Sequence, residues 1–248
     1  MGMPVVSVAS GGLPVVDVGA SLRGTPVTEA ASGRGLRVTK VAAYGLPVAY
    51  ETIGVSGGAT VYATLDGATS AVTMSGGNLI ATHNSNAGNS GVRSTALKSS
   101  GKYYFESTAG SQIYAFGQMV GILLSSGTFA DLVGGINSTI VTYQGTIFTF
   151  GSATGKTIGT IAIGNVIGSA IDLDNRKAWF RSGAGLWNGG AIGVENPATN
   201  TGGVTIGAGS LAPALGFNGS TGDNASANFG ASAFSGVVPA SFTAGWPA

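Results

Sequence analysis

Glycine occupies 44 of the 248 positions, about 18% where an average protein has about 7%. Each interior glycine costs a helix about 1 kcal/mol relative to alanine, whereas turns, bulges and close backbone approaches use it freely. The chain is therefore expected to be built from short strands and tight turns. Hydrophobic residues still make up 44% and charged residues only 8%, so the sequence lacks the high charge and low hydrophobicity of a disordered segment. It also lacks the three-residue glycine period of collagen.

The glycines of the first fifty residues are phased. Gly2-Met3-Pro4-Val5, Gly12-Leu13-Pro14-Val15, Gly24-Thr25-Pro26-Val27, Gly35-Leu36-Arg37-Val38 and Gly45-Leu46-Pro47-Val48 are five copies of G-x-[PR]-V, starting 10, 12, 11 and 10 residues apart. In each, Gly permits a turn and the valines alternate as in a half-buried strand, and in the four copies with Pro that residue fixes φ and removes a donor. A period this short forms no supersecondary unit with a core of its own. Residues 1–57 are accordingly expected to be an arm that docks on other chains, with Pro4, Val5, Pro14, Val15, Pro26, Val27, Val38, Pro47 and Val48 as the docking residues.

Net charge is +1, from 11 basic and 10 acidic residues. Nothing in this balance forms a footprint for nucleic acid or an anionic membrane surface. With no cysteine there is no disulfide framework and no thiolate chemistry. The opening MGMPVVSVAS has no basic n-region and no continuous apolar stretch, so it does not read as a signal peptide. The longest apolar window, Tyr114 to Ile136, is broken by Gln118, Ser125, Ser126, Asp131 and glycines, and no membrane insertion is expected.

From about residue 58 the texture becomes that of an all-β sandwich, with short strands and turn signals every eight to twelve residues. Strands are expected at Thr60–Ala63, Tyr103–Ser107, Gln118–Leu124, Thr139–Tyr143, Ile147–Phe150, Val166–Leu173, Ala178–Arg181, Leu211–Phe217 and Ser226–Phe229. Asp174-Asn175-Arg176, lying between Ile167–Leu173 and Lys177–Phe180, predicts a hairpin, with the Asp174 carboxylate bonding turn amides.

Those strands carry a resemblance. Gly101-Lys102-Tyr103-Tyr104-Phe105-Glu106, then Val120-Gly121-Ile122, then the run from Ile167 to Phe180, resemble successive core strands of a SPRY (B30.2-like) domain. The tail is similar to its closing strands, with Pro213-Ala214-Leu215-Gly216-Phe217, Ala227-Asn228-Phe229-Gly230, Phe234 and Pro239-Ala240-Ser241-Phe242. The resemblance implies a two-sheet antiparallel β-sandwich over residues 58–248 that binds partners through loops and has no catalytic residues.

Chemistry-bearing constellations are sparse. The single histidine, His83, has no acidic neighbour in sequence and is expected on a turn at the surface. Asp172 and Asp174, two apart, have the spacing of a Ca²⁺ or glycosidase pair, but the hairpin accounts for Asp174. Gly155-Lys156-Thr157 lacks the first glycine of a phosphate loop and no helix pattern follows. No catalytic residue, cofactor or metal is therefore assigned. Trp179 alternates with Ala178 and Phe180 and is expected in the core. Trp187, in a glycine-rich loop, is read first as buried, and otherwise as a subunit contact or a face for a sugar; with Asn188, Asn218, Asp223 and Asn224 it makes up the candidate ligand-facing loops.

These features point to a non-enzymatic structural protein of a tailed-phage virion, exposed on the particle surface as a capsid decoration protein or short fibre. It is expected to be a homo-oligomer, a trimer being favoured, that docks on other virion proteins through its arm by strand donation. The alternative is an adhesin or tail fibre that recognises a host glycan.

Overall fold

A computed structural model describes residues 60–66, 71–86, 88–110, 118–133, 135–191 and 193–248, together with the backbone of four short strands nearer the N-terminus. Its contacts divide the chain into two compact units, Met1–Thr60 and Val61–Ala248. In the first, β1 (Val6–Val8) pairs antiparallel with β2 (Pro14–Val16), and β3 (Ala30–Ser32) with β4 (Gly35–Arg37). Pro14 and Val15 thus lie on a strand, Pro14 opposite Val8. Pro4, Val5, Pro26, Val27, Val38, Pro47 and Val48 lie outside the described residues.

The second unit is a sandwich. Its strands in order are β5 (Val72–Ser75), β6 (Ile80–His83), β7 (Ser90–Arg93), β8 (Lys102–Ala109), β9 (Gln118–Leu124), β10 (Ser138–Thr142), β11 (Thr146–Thr149), β12 (Ser152–Thr157), β13 (Val166–Asp172), β14 (Lys177–Ser182), β15 (Val204–Thr205), β16 (Leu211–Phe217), β17 (Asn224–Asn228) and β18 (Thr243–Ala244). One sheet has six strands in the order β12-β11-β10-β9-β16-β7. The other runs β15-β14-β13-β8-β17-β6-β5, with β18 added in parallel beside β8. Every other pairing in both sheets is antiparallel.

The period of two along each strand sorts side chains between layers. Phe105 and Ala109 on β8, Ile167 and Ile171 on β13, and Ala178 and Phe180 on β14 meet Val120 and Ile122 on β9, Val141 on β10, and Leu211, Leu215 and Phe217 on β16. Trp246 seals this core, edge-on to Phe105 at 5.9 Å and tilted on Tyr103 at 4.8 Å, with its indole N–H donated to the Ala96 carbonyl.

Both sheets are apolar on their outer faces as well. Met119, Leu123, Ile140 and Ala214 carry the 3-10 turn Phe129–Val133 through Leu132. Tyr104, Ala170 and Trp179 are covered by Phe234, Val238 and Phe242 of the C-terminal segment and by Trp187. Trp179 is fully buried in that outer layer. Strands buried on two faces read as unbroken hydrophobic runs, which is why Gln118–Leu124 and Leu211–Phe217 are strands at the expected bounds.

Three expectations need correction. Thr60–Ala63 is not a strand, only a bridge from Tyr62 to Pro247, and β5, β6, β7 and β12 have no counterpart in the sequence reading. The β13–β14 hairpin forms, but Asp172, not Asp174, receives the turn amides, from Asp174 (3.1 Å) and Asn175 (2.9 Å). Its left-handed residue is Arg176, at φ 53°, and Asp174 reaches across to the Gly101 amide at 2.8 Å.

Candidate functional site

Buried charge in this sandwich is mostly consumed by structure. Asp172 adds to its two amides the Asn175 side chain at 2.8 Å and the Lys102 ammonium at 3.0 Å. Burial alone raises its carboxyl, but these bonds outweigh that and hold it below the usual range. Glu106 accepts the Tyr104 hydroxyl (2.7 Å) and the amides of Ser235 (2.9 Å) and Gly236 (2.7 Å), tying the C-terminal segment to β8. Burial, followed by the bond to Glu106, pushes the Tyr104 phenol far up, so it stays a donor. The Gly155-Lys156-Thr157 run is part of β12, with no helix following it. Lys156 pairs with buried Glu195, which also receives the Gly203 amide (2.8 Å) and the Asn188 side chain (3.0 Å).

The five expected ligand-facing residues separate into two places. Trp187 sits over β14 and the Tyr104 end of β8, its ring edge-on to Tyr104 at 6.4 Å and one face covered by the Arg181 guanidinium at 4.2 Å. Arg181 also donates to the Val237 carbonyl at 2.7 Å, so loop 183–190 and segment 232–240 meet there. Leu186, 49% exposed, and Val237, 80% exposed, stand at this meeting point. Asn188 does not face ligand. It is buried at φ 48° and its side chain completes the β14 edge, accepting from the Phe180 amide at 2.9 Å.

Asn218, Asp223 and Asn224 belong to the other end of β8, where Ala109 pairs with Ala225. Ala109 lies five residues on from Tyr104, about 17 Å along a strand. Thr221 binds Asn86 of the β6–β7 loop through its amide (3.1 Å) and hydroxyl (3.0 Å), and Gln118 donates to the Asn224 carbonyl at 2.6 Å. Asp223 is 0% exposed rather than ligand-facing.

Beside it lies the residue that sequence reasoning misplaced. His83 is not on the surface. It ends β6 at 0% exposure, stacked on Phe217 with centroids 5.7 Å apart and planes at 15°. Its Nδ1 is 3.2 Å from the Ser220 carbonyl, its amide donates to the Asp223 carbonyl (2.8 Å), and its carbonyl accepts from Gly222 (2.8 Å). His83 Nε2 and both carboxylate oxygens of Asp223 make no hydrogen bond. Burial pushes the Asp223 carboxyl up. Asp223, 140 residues on, is thus the cross-strand neighbour of His83, with no hydrogen bond between ring and carboxylate.

No family model and no curated protein matches the sequence. Among solved structures, the SPRY domain of human HERC1 matches with a TM-score of 0.52 at 15% identity, over 66% of this chain and 93% of that one. The sandwich has a SPRY-like fold. The PSpry domain of TRIM65 is also similar, with a TM-score of 0.47 at 15% identity over 67% of this chain and 92% of that one.

Proposed function

We propose that this chain is a non-catalytic assembly protein, in which a SPRY-like binding module is carried on a repeat arm that pairs between copies and holds the module on the surface of a virion. It would act there as a capsid decoration protein or short fibre. The observation that carries this reading is the five-fold G-x-[PR]-V repeat, whose period is too short to bury an apolar face within one copy. Low charge supports it, because surfaces rich in Gly, Ser, Thr and Asn desolvate cheaply against copies of themselves. The use of Asp172, Glu106 and Glu195 as structural acceptors also supports a binding module over a catalyst.

The mechanism is strand donation at the outer edges of the β1–β2 and β3–β4 ribbons, whose remaining main-chain hydrogen bonds would be satisfied between chains. Removing residues 1–60 is expected to leave a folded β-rich module, because the second unit has its own core, and to reduce the native mass to that of a monomer. Light scattering on the full and shortened chains decides it. A shortened chain that keeps the full oligomeric mass overturns the reading.

A glycan-binding adhesin is the second reading, favoured by the Asn86, Asn218 and Asn224 loops at one end of the sandwich. The Arg181 guanidinium over one face of Trp187 counts against sugar stacking there.

A further inference from the structure

Strand alternation puts His83 and Asp223 in one place. Ala81 on β6 and Ala225 and Ala227 on β17 line the core between the sheets, so His83, two residues on from Ala81, and Asp223, two before Ala225, point to the same interior side. Thr82 pairs with Asn224, which makes His83 and Asp223 the next cross-strand neighbours, a relation that sets Cβ atoms about 4.5–5.5 Å apart. Both side chains are fully buried, and three of their polar atoms make no hydrogen bond.

The ring tautomer follows from its surroundings. The Ser220 carbonyl only accepts, so Nδ1 carries the proton and Nε2 is the basic atom. Two compositions of the pair are electrically neutral, imidazole with carboxylic acid and imidazolium with carboxylate, and each holds a single dissociable proton. A second proton, or none, leaves one uncompensated charge in the interior, which is strongly disfavoured. The strands β5, β6, β16 and β17 and the 84–89 and 217–224 loops carry no further Asp, Glu, Lys or Arg, and Arg93 of β7 is engaged with the Ser125 carbonyl at 3.2 Å and the Phe129 ring at 5.8 Å.

We propose that His83 and Asp223 form a proton-operated latch, closing the 217–224 loop on β6 while the pair holds one proton and releasing it when the pair gains a second or loses the first. The His83 hydrogen bonds to Ser220, Gly222 and Asp223, with its stack on Phe217, make the closed state. Release frees the loop that also holds Asn86 through Thr221, so the polar end of the sandwich is presented differently on the two sides of the latch window. The proton is exchanged with solvent through the opened loop.

The chain has one histidine, so its ring signals are unambiguous in the full-length protein. The test follows those signals and the amide exchange of residues 220–224 together by NMR from about pH 4 to about pH 9, spanning the ordinary carboxyl and imidazole ranges. Loop protection is expected to be greatest inside the window and to fall at the pH where the ring titrates. A one-unit difference in pKa between closed and open loop corresponds to about a tenfold change in opening, beyond the intrinsic pH dependence of exchange. In Asp223→Asn the loop amides should keep only the intrinsic dependence. A ring that titrates with no change in loop protection, or the same loop profile in Asp223→Asn, overturns the latch. Should that variant fail to fold, coincidence of ring and loop midpoints in the unaltered chain decides alone.

Discussion

Asp172 shows how much of this sandwich hangs on single carboxylates. It receives two turn amides, one side-chain amide and one ammonium while fully buried. Asp172→Ala abandons all four and leaves Lys102 charged beside an apolar corner, an expected cost of about 2–4 kcal/mol by denaturant unfolding. Its pH dependence has a definite sign. Because the folded carboxyl lies below its ordinary value, the stabilisation is fully present above about pH 3.9, the unfolded value, and is lost as pH falls through the folded one. The stability gap between the unaltered chain and Asp172→Asn should therefore close in strong acid, and a gap that widens there contradicts the assignment. Asp223 has the opposite sign. Its carboxyl is raised, so its protonated form is favoured by folding, and that favour is lost as pH rises through the raised value.

At the scale of the element, the β13–β14 hairpin combines a strained residue with a spanning one. Arg176 holds φ 53° while its guanidinium reaches the carbonyls of Gly207 (3.3 Å), Gly209 (2.8 Å) and Ser99 (3.0 Å). Arg176→Val forces a β-branched residue into the left-handed region and releases all three carbonyls, for an expected loss of about 2–4 kcal/mol. Arg176→Gly should recover the backbone part alone, and equal losses for the two would show that strain plays no role. The same hairpin marks what could be read in advance. Strands buried on both faces, such as β9 and β16, announce themselves as apolar runs of full length. By contrast Val72–Ser75, Ser90–Arg93 and Ser152–Thr157 mix Ser, Thr, Gly and one-sided apolar positions, a texture that glycine-rich loops share. The site was less legible still. His83 and Asp223 meet because β6 lies beside β17 in the sheet, a neighbourhood set by sheet order that no local spacing encodes, and Lys156 finds Glu195 by the same kind of long-range placement.

At the scale of the whole molecule, decoration and adhesion differ in what Trp187 should do. Its ring lies edge-on to Tyr104 with Arg181 over one face, so Trp187→Ala is expected to cost about 1–3 kcal/mol of stability and to leave adsorption of particles to cells unchanged. Reproducible loss of adsorption at unaltered stability would instead favour the adhesin. The two ends of the sandwich unit bear on its behaviour in any assembly that pulls on it. The Ala63 amide bonds the Trp246 carbonyl at 3.0 Å, Tyr62 bridges Pro247, and the Ala248 amide bonds the Val61 carbonyl at 2.9 Å. In this antiparallel arrangement the chain enters and leaves on the same side. A tensile load across the two ends therefore opens these bonds one after another like a zipper, and does not shear them together. Trp246 and the Ala63 opposite it are the first core side chains such a load extracts, which makes the junction, rather than the sheets, the mechanical fuse of the module.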